Sequence, residues 1–407
     1  VTTLDLDRDR RLTPPAGPIA PRQRRALGPR VRRALTQARD FPVRAAGHLW
    51  RNRRYLTILK LANMALVQVQ FALKTERVVG RPYKMKIEPT NLCNTHCQLC
   101  PTGLGLPGRA KGRMTLAQYR GLIDRLHRFL CTVDLSMWGD PLIVPEIYDM
   151  IRYAHDRRIW TYLSSNLHAF KPEKDQARQL VASGLDVLTC SLHGASQETF
   201  ALYQPGKSFD ATVAKVRHLL EVRDRMGSAT PAVQLNFVVT RGNEHELAAF
   251  QALADSLGCR AVFSAPSVNL RFLRTGGGPQ QLGLAADLQQ KKMRAHLEHW
   301  LPSDPRYVLG AYRQVLEHGY REDIYNGHKL YHCSWPWQAS VINWDGTVVT
   351  CCGSWDPKED MGNVLEQPFG EIWNGPKYRL ARRSFRHKLS ASQCAANPCA
   401  TCPGFML

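Results

Sequence analysis

The chain has 407 residues, 44% hydrophobic and 22% charged, with a formal net charge of +21. That length exceeds the size at which a single core stops growing, so one large domain with a smaller appendage is expected, and the composition excludes a collagen-like, low-complexity or small disulfide-stapled protein. Twelve cysteines, gathered at metal-ligand spacings in a long chain without an apolar signal segment, point to iron or zinc in a reducing cytoplasm.

The charge is uneven. Residues 1–60 carry fourteen Arg and one Lys against four Asp, a net +11. The first thirty residues contain Pro14, Pro15, Pro18, Pro21 and Pro29 with few large apolar groups and read as disordered, and a helical pattern begins at Arg30. Aromatic residues enter this arm only near its end (Phe41, Trp50, Tyr55), which argues against a nucleic-acid binder, where stacking side chains alternate with the charges. Residues 55–75 are the most apolar stretch. Lys60, Asn63, Gln70 and Lys74 recur at three- and four-residue steps, with Leu59, Ala62, Leu66, Val69 and Leu73 on the opposite side. This is an amphipathic helix and not a membrane span. Two placements compete for it: packed on the main domain, or lying with the basic arm on an anionic membrane surface or acidic partner.

From residue 84 to 266, short β-branched runs alternate with helical patterns, the signal of βα units and a parallel sheet. Six strands are expected, over 84–88, 133–137, 160–164, 187–191, 233–240 and 260–265, separated by helices that include 116–130, 147–157, 175–183, 212–225 and 244–257. After the first strand comes Cys93-Asn-Thr-His-Cys97-Gln-Leu-Cys100. Three thiolates are one short of a closed tetrahedral site, whereas a [4Fe-4S] cube held by three leaves one iron open to an exchangeable ligand. A zinc knuckle completed by His96 or a distant cysteine is the rival reading.

The Cys-x3-Cys-x2-Cys spacing, with apolar Leu99 before the third cysteine, resembles the signature of the radical S-adenosylmethionine (radical SAM) superfamily. The resemblance covers about residues 83–403. It implies an α/β fold, a partial (βα)6 TIM-like barrel, with Cys93, Cys97 and Cys100 holding a [4Fe-4S] cluster whose open iron takes SAM. Reductive cleavage of SAM then gives a 5′-deoxyadenosyl radical that abstracts hydrogen from a C–H bond. Trp138-Gly139-Asp140-Pro141, after the second strand, is similar to the family's Gly-Gly-Glu-Pro and makes Gly139, Asp140 and Pro141 SAM-binding candidates. Ser164-Ser165-Asn166 resembles Ser-Thr-Asn-Gly, with Leu167 where glycine is common, and nominates Ser164. Ser191-Leu192-His193-Gly194 resembles Ser-Leu/Ile-Asp-Gly and nominates Ser191, while His193 faces substrate or is structural. Asn236 points toward SAM or is an inward polar residue satisfied by water, and Asn243 is placed to cap the next helix.

Near the C-terminus, Cys333, Gly346-x4-Cys351 and Cys399-Ala-Thr-Cys402 resemble the SPASM/twitch extension, an α+β auxiliary iron-sulfur domain. A hairpin over 339–342 and 347–351 about Asn343-Trp-Asp-Gly346 is expected. The resemblance implies one auxiliary [4Fe-4S] cluster, the twitch form, on Cys333, Cys351, Cys399 and Cys402. Strand alternation turns Cys352 away, and Cys394 is the reserve ligand. A zinc ribbon is the rival. Cys131, Cys190 and Cys259 read as structural. The expected domains are a basic arm with a helical end (1–80), the barrel (81–270), a helical linker (271–325) and the auxiliary domain (326–407).

The expected function is radical SAM chemistry on a small sugar-like or nucleoside natural product, by epimerisation, dehydrogenation or dehydration. A flavodoxin- or ferredoxin-type donor supplies the electron. The alternatives are a lipid-modifying enzyme at the membrane surface and a maturase of ribosomally made peptides. The non-enzyme rival is an iron-sulfur scaffold or RNA-binding protein.

Overall fold

The computed structural model describes residues 53–105, 108–268, 286–319, 333–387, 389–395, 397–400 and 402. The basic arm over 1–52 lies outside the described residues, as do 269–285 and 320–332, which take in both ends of the expected linker.

All six expected strands are present as β1 (Lys84–Ile87), β2 (Thr132–Asp134), β3 (Trp160–Ser165), β4 (Val187–Ser191), β5 (Ala232–Val238) and β6 (Arg260–Ser264). They pair in parallel in the order β6-β5-β4-β3-β2-β1 and do not close, giving a partial barrel. Strand β2 ends three residues early because Ser136 turns both its N–H and its hydroxyl back onto the Asp134 carboxylate. The alternation of strand side chains sorts the two faces. Ile87, Val133, Leu163, Leu188, Leu235 and Phe237 are fully buried in the main core beneath the helices, each contributing on the order of 1.5–3 kcal/mol. The opposite face carries Lys86, Asp134, Tyr162, Thr189 and Asn236, a polar wall lining the inside of the barrel. Cys190 belongs to the apolar face and is fully buried, and Cys131 and Cys259 are buried with the same core, as structural cysteines should be.

The expected hairpin forms from β7 (Ala339–Ile342) and β8 (Thr347–Val349), with β9 (Gly362–Asn363) beside it. Rather than building a sheet of its own, it continues the barrel's sheet. Strand β7 lies parallel to β1 in the register Lys86↔Val341, making a sheet of nine strands among the described residues. Tyr83 N–H donates to Gln338 O at 3.1 Å and Glu88 N–H to Ile342 O at 2.8 Å, so the outer edge of β1 finds backbone partners along its whole length.

The amphipathic helix α1 (Ile58–Ala72) packs on the domain, capped by the Thr57 hydroxyl, but with its polar stripe inward. Lys60 Nζ donates to Arg158 O at 2.5 Å, Asn63 exchanges two bonds with the Arg81 backbone (2.9 and 2.8 Å), and Gln70 Oε1 accepts from Gly80 N–H at 2.9 Å. Lys60, Asn63 and Gln70 are buried because they satisfy loop backbone groups that no strand reaches, and Val67 between them is buried in the main core. Apart from Val67, Met64 and Phe71, which pack on the core, its large apolar residues face out.

Candidate functional site

The cysteine loop hangs from the carboxyl end of β1 and is closed at its base. Thr90 hydroxyl donates to Gly112 O (2.7 Å), and Asn91 Nδ2 donates to Ala110 O (2.7 Å) while its Oδ1 accepts from Gly112 N–H (2.9 Å). Inside the loop, Cys100 N–H donates to Cys97 O at 3.2 Å and Leu104 N–H to Cys100 O at 2.9 Å. Gly103 passes so near that an added Cβ would stand 2.5 Å from both the N and O of Cys97. The Thr95 hydroxyl sits 3.0 Å from Cys93 Sγ and 3.6 Å from Cys97 Sγ. Burial pushes the Cys97 thiol up to about 12, with Cys100 and Cys93 adding to the rise. Leu99 anchors the loop, packing with Met293 and Leu297 of α2 (Ala286–Trp300) and Tyr312 and Val315 of α3 (Gly310–His318).

The ends of β2 and β3 meet this loop. Gly139 lies against it so closely that a Cβ would stand 2.3 Å from Thr90 O and 2.5 Å from Leu92 O. Asp140 N–H donates to Leu92 O at 2.9 Å. The Asp140 carboxylate is buried and accepts from Leu142 N–H (2.9 Å), Ser165 hydroxyl (2.9 Å) and Asn166 N–H (2.8 Å). Its acceptor positions are therefore directed at the strand ends, and Asp140 positions the loops. Pro141 opens the short turn Pro141–Ile143 that Asp140 caps. From β3, Asn166 reaches the cysteine loop. Its Nδ2 lies 3.0 Å from Asn94 Oδ1, 3.4 Å from Thr95 Oγ1 and 3.7 Å from Cys93 Sγ. Ser164 is half-buried on the inner face. Sequence reasoning nominated Ser164 in this triplet, yet Ser165 and Asn166 make these bonds. Leu167 holds a left-handed φ of 61°, the conformation that makes glycine common there.

On β4 and β5, Ser191 pairs in register with Asn236, whose Oδ1 accepts from Ser264 hydroxyl at 3.2 Å. His193 is structural. Its Nδ1 accepts from Val238 N–H at 3.1 Å, its ring lies 4.3 Å from that of Tyr203, and burial lowers its pKa to about 3, leaving it neutral. Asn243 does not cap the following helix. Its side chain accepts from Thr240 N–H and donates to the carbonyls of His193 and Val238, the unfinished end of β5.

Lys86 and Asp134, a pair missed in the sequence, sit inside the barrel as an ion pair, with Lys86 also donating to Ser136 O at 3.2 Å. Burial opposes the charge on Lys86, but Asp134, with the Cys352 thiol and Tyr162, raises its pKa above the ordinary value. Tyr162 hydroxyl donates to Thr189 Oγ1 at 2.6 Å. The available signal was charge at inward positions of otherwise apolar strands. Glu88, at the mouth, is fully buried and accepts from Trp138 N–H (3.1 Å) and Trp344 N–H (3.4 Å).

The C-terminal cysteines gather beside this wall. Cys351 is pushed far up by burial and then by Cys352, Cys402, Cys399 and Cys333, and Cys333 rises to about 12 through burial, with Cys402 and Cys352 contributing. Cys352 thus lies with the group, contrary to the alternation argument, because β8 ends at Val349 and residues 351–353 turn. Cys394, the reserve ligand of the sequence reading, is buried in a separate apolar cluster with Leu389, Ala400 and Leu380.

Among the described residues no three His, Cys, Asp or Glu side chains converge to hold a metal ion, so fit rests on the chemistry of the donor sets. Two groups of soft thiols, in which Cys97 and Cys100 of the first and Cys333 and Cys351 of the second are raised in pKa by burial and then by neighbouring thiols, suit polynuclear iron, whose positive charge offsets the repulsion among thiolates.

The radical SAM superfamily model matches residues 87–243, and the model of an iron-sulfur cluster-binding domain, SPASM, matches residues 333–403. The chain is 26% identical over 235 residues to the mycofactocin maturase MftC of Mycobacterium tuberculosis (strain CDC 1551 / Oshkosh), covering 58% of this chain and 55%, about half, of that relative. It is 25% identical over 323 residues to an AdoMet-dependent heme synthase of Methanosarcina barkeri, covering 75% of this chain and 86% of the relative. In fold it is similar to Streptococcus suis SuiB bound to precursor peptide SuiA, with a TM-score of 0.54 at 14% identity over 84% of this chain and 75% of that one. The three-thiol loop clasped by the ends of β2 and β3 lies within the first of these matches and the second cysteine group within the other, and with both models matched the chain belongs to the radical SAM superfamily and carries a C-terminal SPASM domain.

Proposed function

We propose that this radical SAM enzyme is a peptide maturase, acting at a C–H bond of a peptide held along the polar inner wall of the barrel. Its cofactors are [4Fe-4S] clusters and SAM. When bound, they supply a 5′-deoxyadenosyl radical at the open end of the barrel. The observation that carries the chemistry is the Asn166 bridge, which ties the Cys93 loop to the strand ends where the substrate must lie. Cys93, Cys97 and Cys100 would hold the SAM cluster, and Cys333, Cys351, Cys399 and Cys402, with Cys352 beside them, the auxiliary iron. The half-buried Ser164 and Ser191, with Asn236, line the wall facing SAM. Lys86 and Asp134 present a cation and an anion to a substrate backbone, and Glu88 and the Trp138 and Trp344 amides close the side toward the SPASM hairpin.

The peptide class rests on the relatives: a maturase is 26% identical over 235 residues, and the similar fold of SuiB was solved with a precursor peptide. These relatives favour the peptide reading over the small-molecule expectation, which rested on a single auxiliary cluster. The test is anaerobically reconstituted protein with SAM, a reductant and candidate precursor peptides or sugar and nucleoside metabolites. Peptide-dependent formation of 5′-deoxyadenosine with a mass change in the peptide is expected. The Cys93, Cys97 and Cys100→Ala triple variant should retain the auxiliary iron, about four atoms per cluster, and lose SAM cleavage. Turnover of a metabolite with no peptide response would overturn the substrate class, and SAM cleavage by the triple variant would overturn the chemistry.

A further inference from the structure

The outward face of α1 has no place in the chemistry above. It presents Ile58, Leu59, Leu61, Leu66, Val69 and Leu73 at 39–87% exposure, with Gln68 the one polar exposed side chain between Ile58 and Leu73. A 15-residue helix gives a strip about 22 Å long. Surface helices ordinarily bury such a stripe and expose the polar one. Here Lys60, Asn63 and Gln70 are bonded inward, so rotating the helix to hide its leucines would break their bonds to Arg158, Arg81 and Gly80.

Basic groups bracket the strip. At its start lies a cavity of about 250 Å³ lined by Thr57, Leu59, Lys60, His127, Arg128, Arg157 and Arg158. Leu59 belongs to both strip and cavity. Within the cavity Arg157 is paired with Asp124 at 2.7 Å, while the Arg128 and Arg158 side chains are exposed. At the far end Arg386 donates to Leu73 O at 3.4 Å and Arg383 lies 3.9 Å from Glu76. The chain enters at the cavity end from residues 1–52, whose twelve Arg against four Asp give +8.

We propose that this face is a membrane-docking surface whose occupant is a bilayer with anionic headgroups, the leucine strip entering the acyl boundary and the arginines taking lipid phosphates. Charge decides among the occupants. A second copy, itself at +21, would set arginine against arginine at both ends of the strip, whereas an anionic bilayer matches apolar to apolar and basic to acidic. Among the described residues no helix is long and apolar enough to cross a membrane, so the contact is peripheral.

The test is co-sedimentation of the full chain with vesicles. At 0.1 M salt the protein should bind 1:1 phosphatidylglycerol–phosphatidylcholine vesicles, should be largely released at 0.5 M salt, and should ignore phosphatidylcholine alone. A Leu66→Glu/Val69→Glu variant, altered only at exposed positions, should bind at least tenfold more weakly. Arg128→Glu/Arg158→Glu should weaken binding about fivefold per arginine. Any of three results overturns the proposal: no binding to the anionic vesicles, undiminished binding by the leucine variant, which would assign it to the leading basic segment alone, or a dimer that the leucine variant dissociates in sedimentation velocity without vesicle binding.

Discussion

Glu88 offers the sharpest test of the barrel mouth. Burial raises its carboxyl to about 7 from an ordinary 4.5, against the opposing pull of the Trp138 and Trp344 amides and Arg109. The group is fully buried, so solvent does little to soften this. Above pH 7 the folded protein holds a carboxylate in a site that resists it. As pH falls from 7 toward 4.5, the folded state takes a proton that the unfolded chain does not, so stability rises through that window and levels off below it. At about 1.4 kcal/mol per pH unit, the full window amounts to about 3 kcal/mol, of which about 2 kcal/mol falls between pH 8 and pH 5.5. Glu88→Gln keeps the shape and an acceptor for Trp138 while removing the charge. Anaerobic urea unfolding at pH 5.5 and 8, followed by tryptophan fluorescence, should show the variant gaining about 2 kcal/mol relative to wild type at the higher pH. Parallel stabilities at the two pH values would refute the reasoning.

Asn166→Ala removes the donor that joins β3 to Asn94, Thr95 and Cys93, a loss of about 1–2 kcal/mol. The expected result is roughly tenfold faster iron loss from the SAM site under chelator challenge, with the C-terminal iron unaffected. Gly103→Ala places a Cβ against the Cys97 backbone, where neither atom can yield. Reconstitution of that variant should recover the auxiliary iron without SAM cleavage, as read by iron content and 5′-deoxyadenosine yield.

What could be read from sequence was what is local. The cysteine spacing, the β-branched runs and the Asn343–Gly346 turn each sit within a dozen residues, and each appears where expected. The misses depend on what the fold brings from elsewhere. Asn166 matters because the end of β3 meets a loop some seventy residues earlier. Cys352 was turned away by an alternation that holds only while the strand lasts, and β8 stops at Val349. The stripe on α1 was visible, but a stripe does not say which side faces in. That depended on the carbonyl of Arg158 and the backbone of Gly80 and Arg81, whose need for partners only the assembled structure reveals. Asp140 was nominated by its place in a tetrapeptide similar to Gly-Gly-Glu-Pro, and that its carboxylate accepts from Ser165, Asn166 and Leu142 could not be read from the tetrapeptide.

The shared sheet also has a consequence for synthesis. Strand β1 has β2 on one side and β7 on the other, and these partners leave the ribosome at different times. β2 follows within fifty residues, but β7 ends at residue 342, some 255 residues after β1. At 5–20 residues per second, the outer edge of β1 waits about 13–50 s for its second neighbour. Through that interval a nascent chain offers an open strand edge beside an unfilled cysteine loop, a template for pairing with other chains. Slow elongation or truncation before residue 342 should therefore favour aggregation, and expression of this protein should gain more from chaperone supply than from added iron.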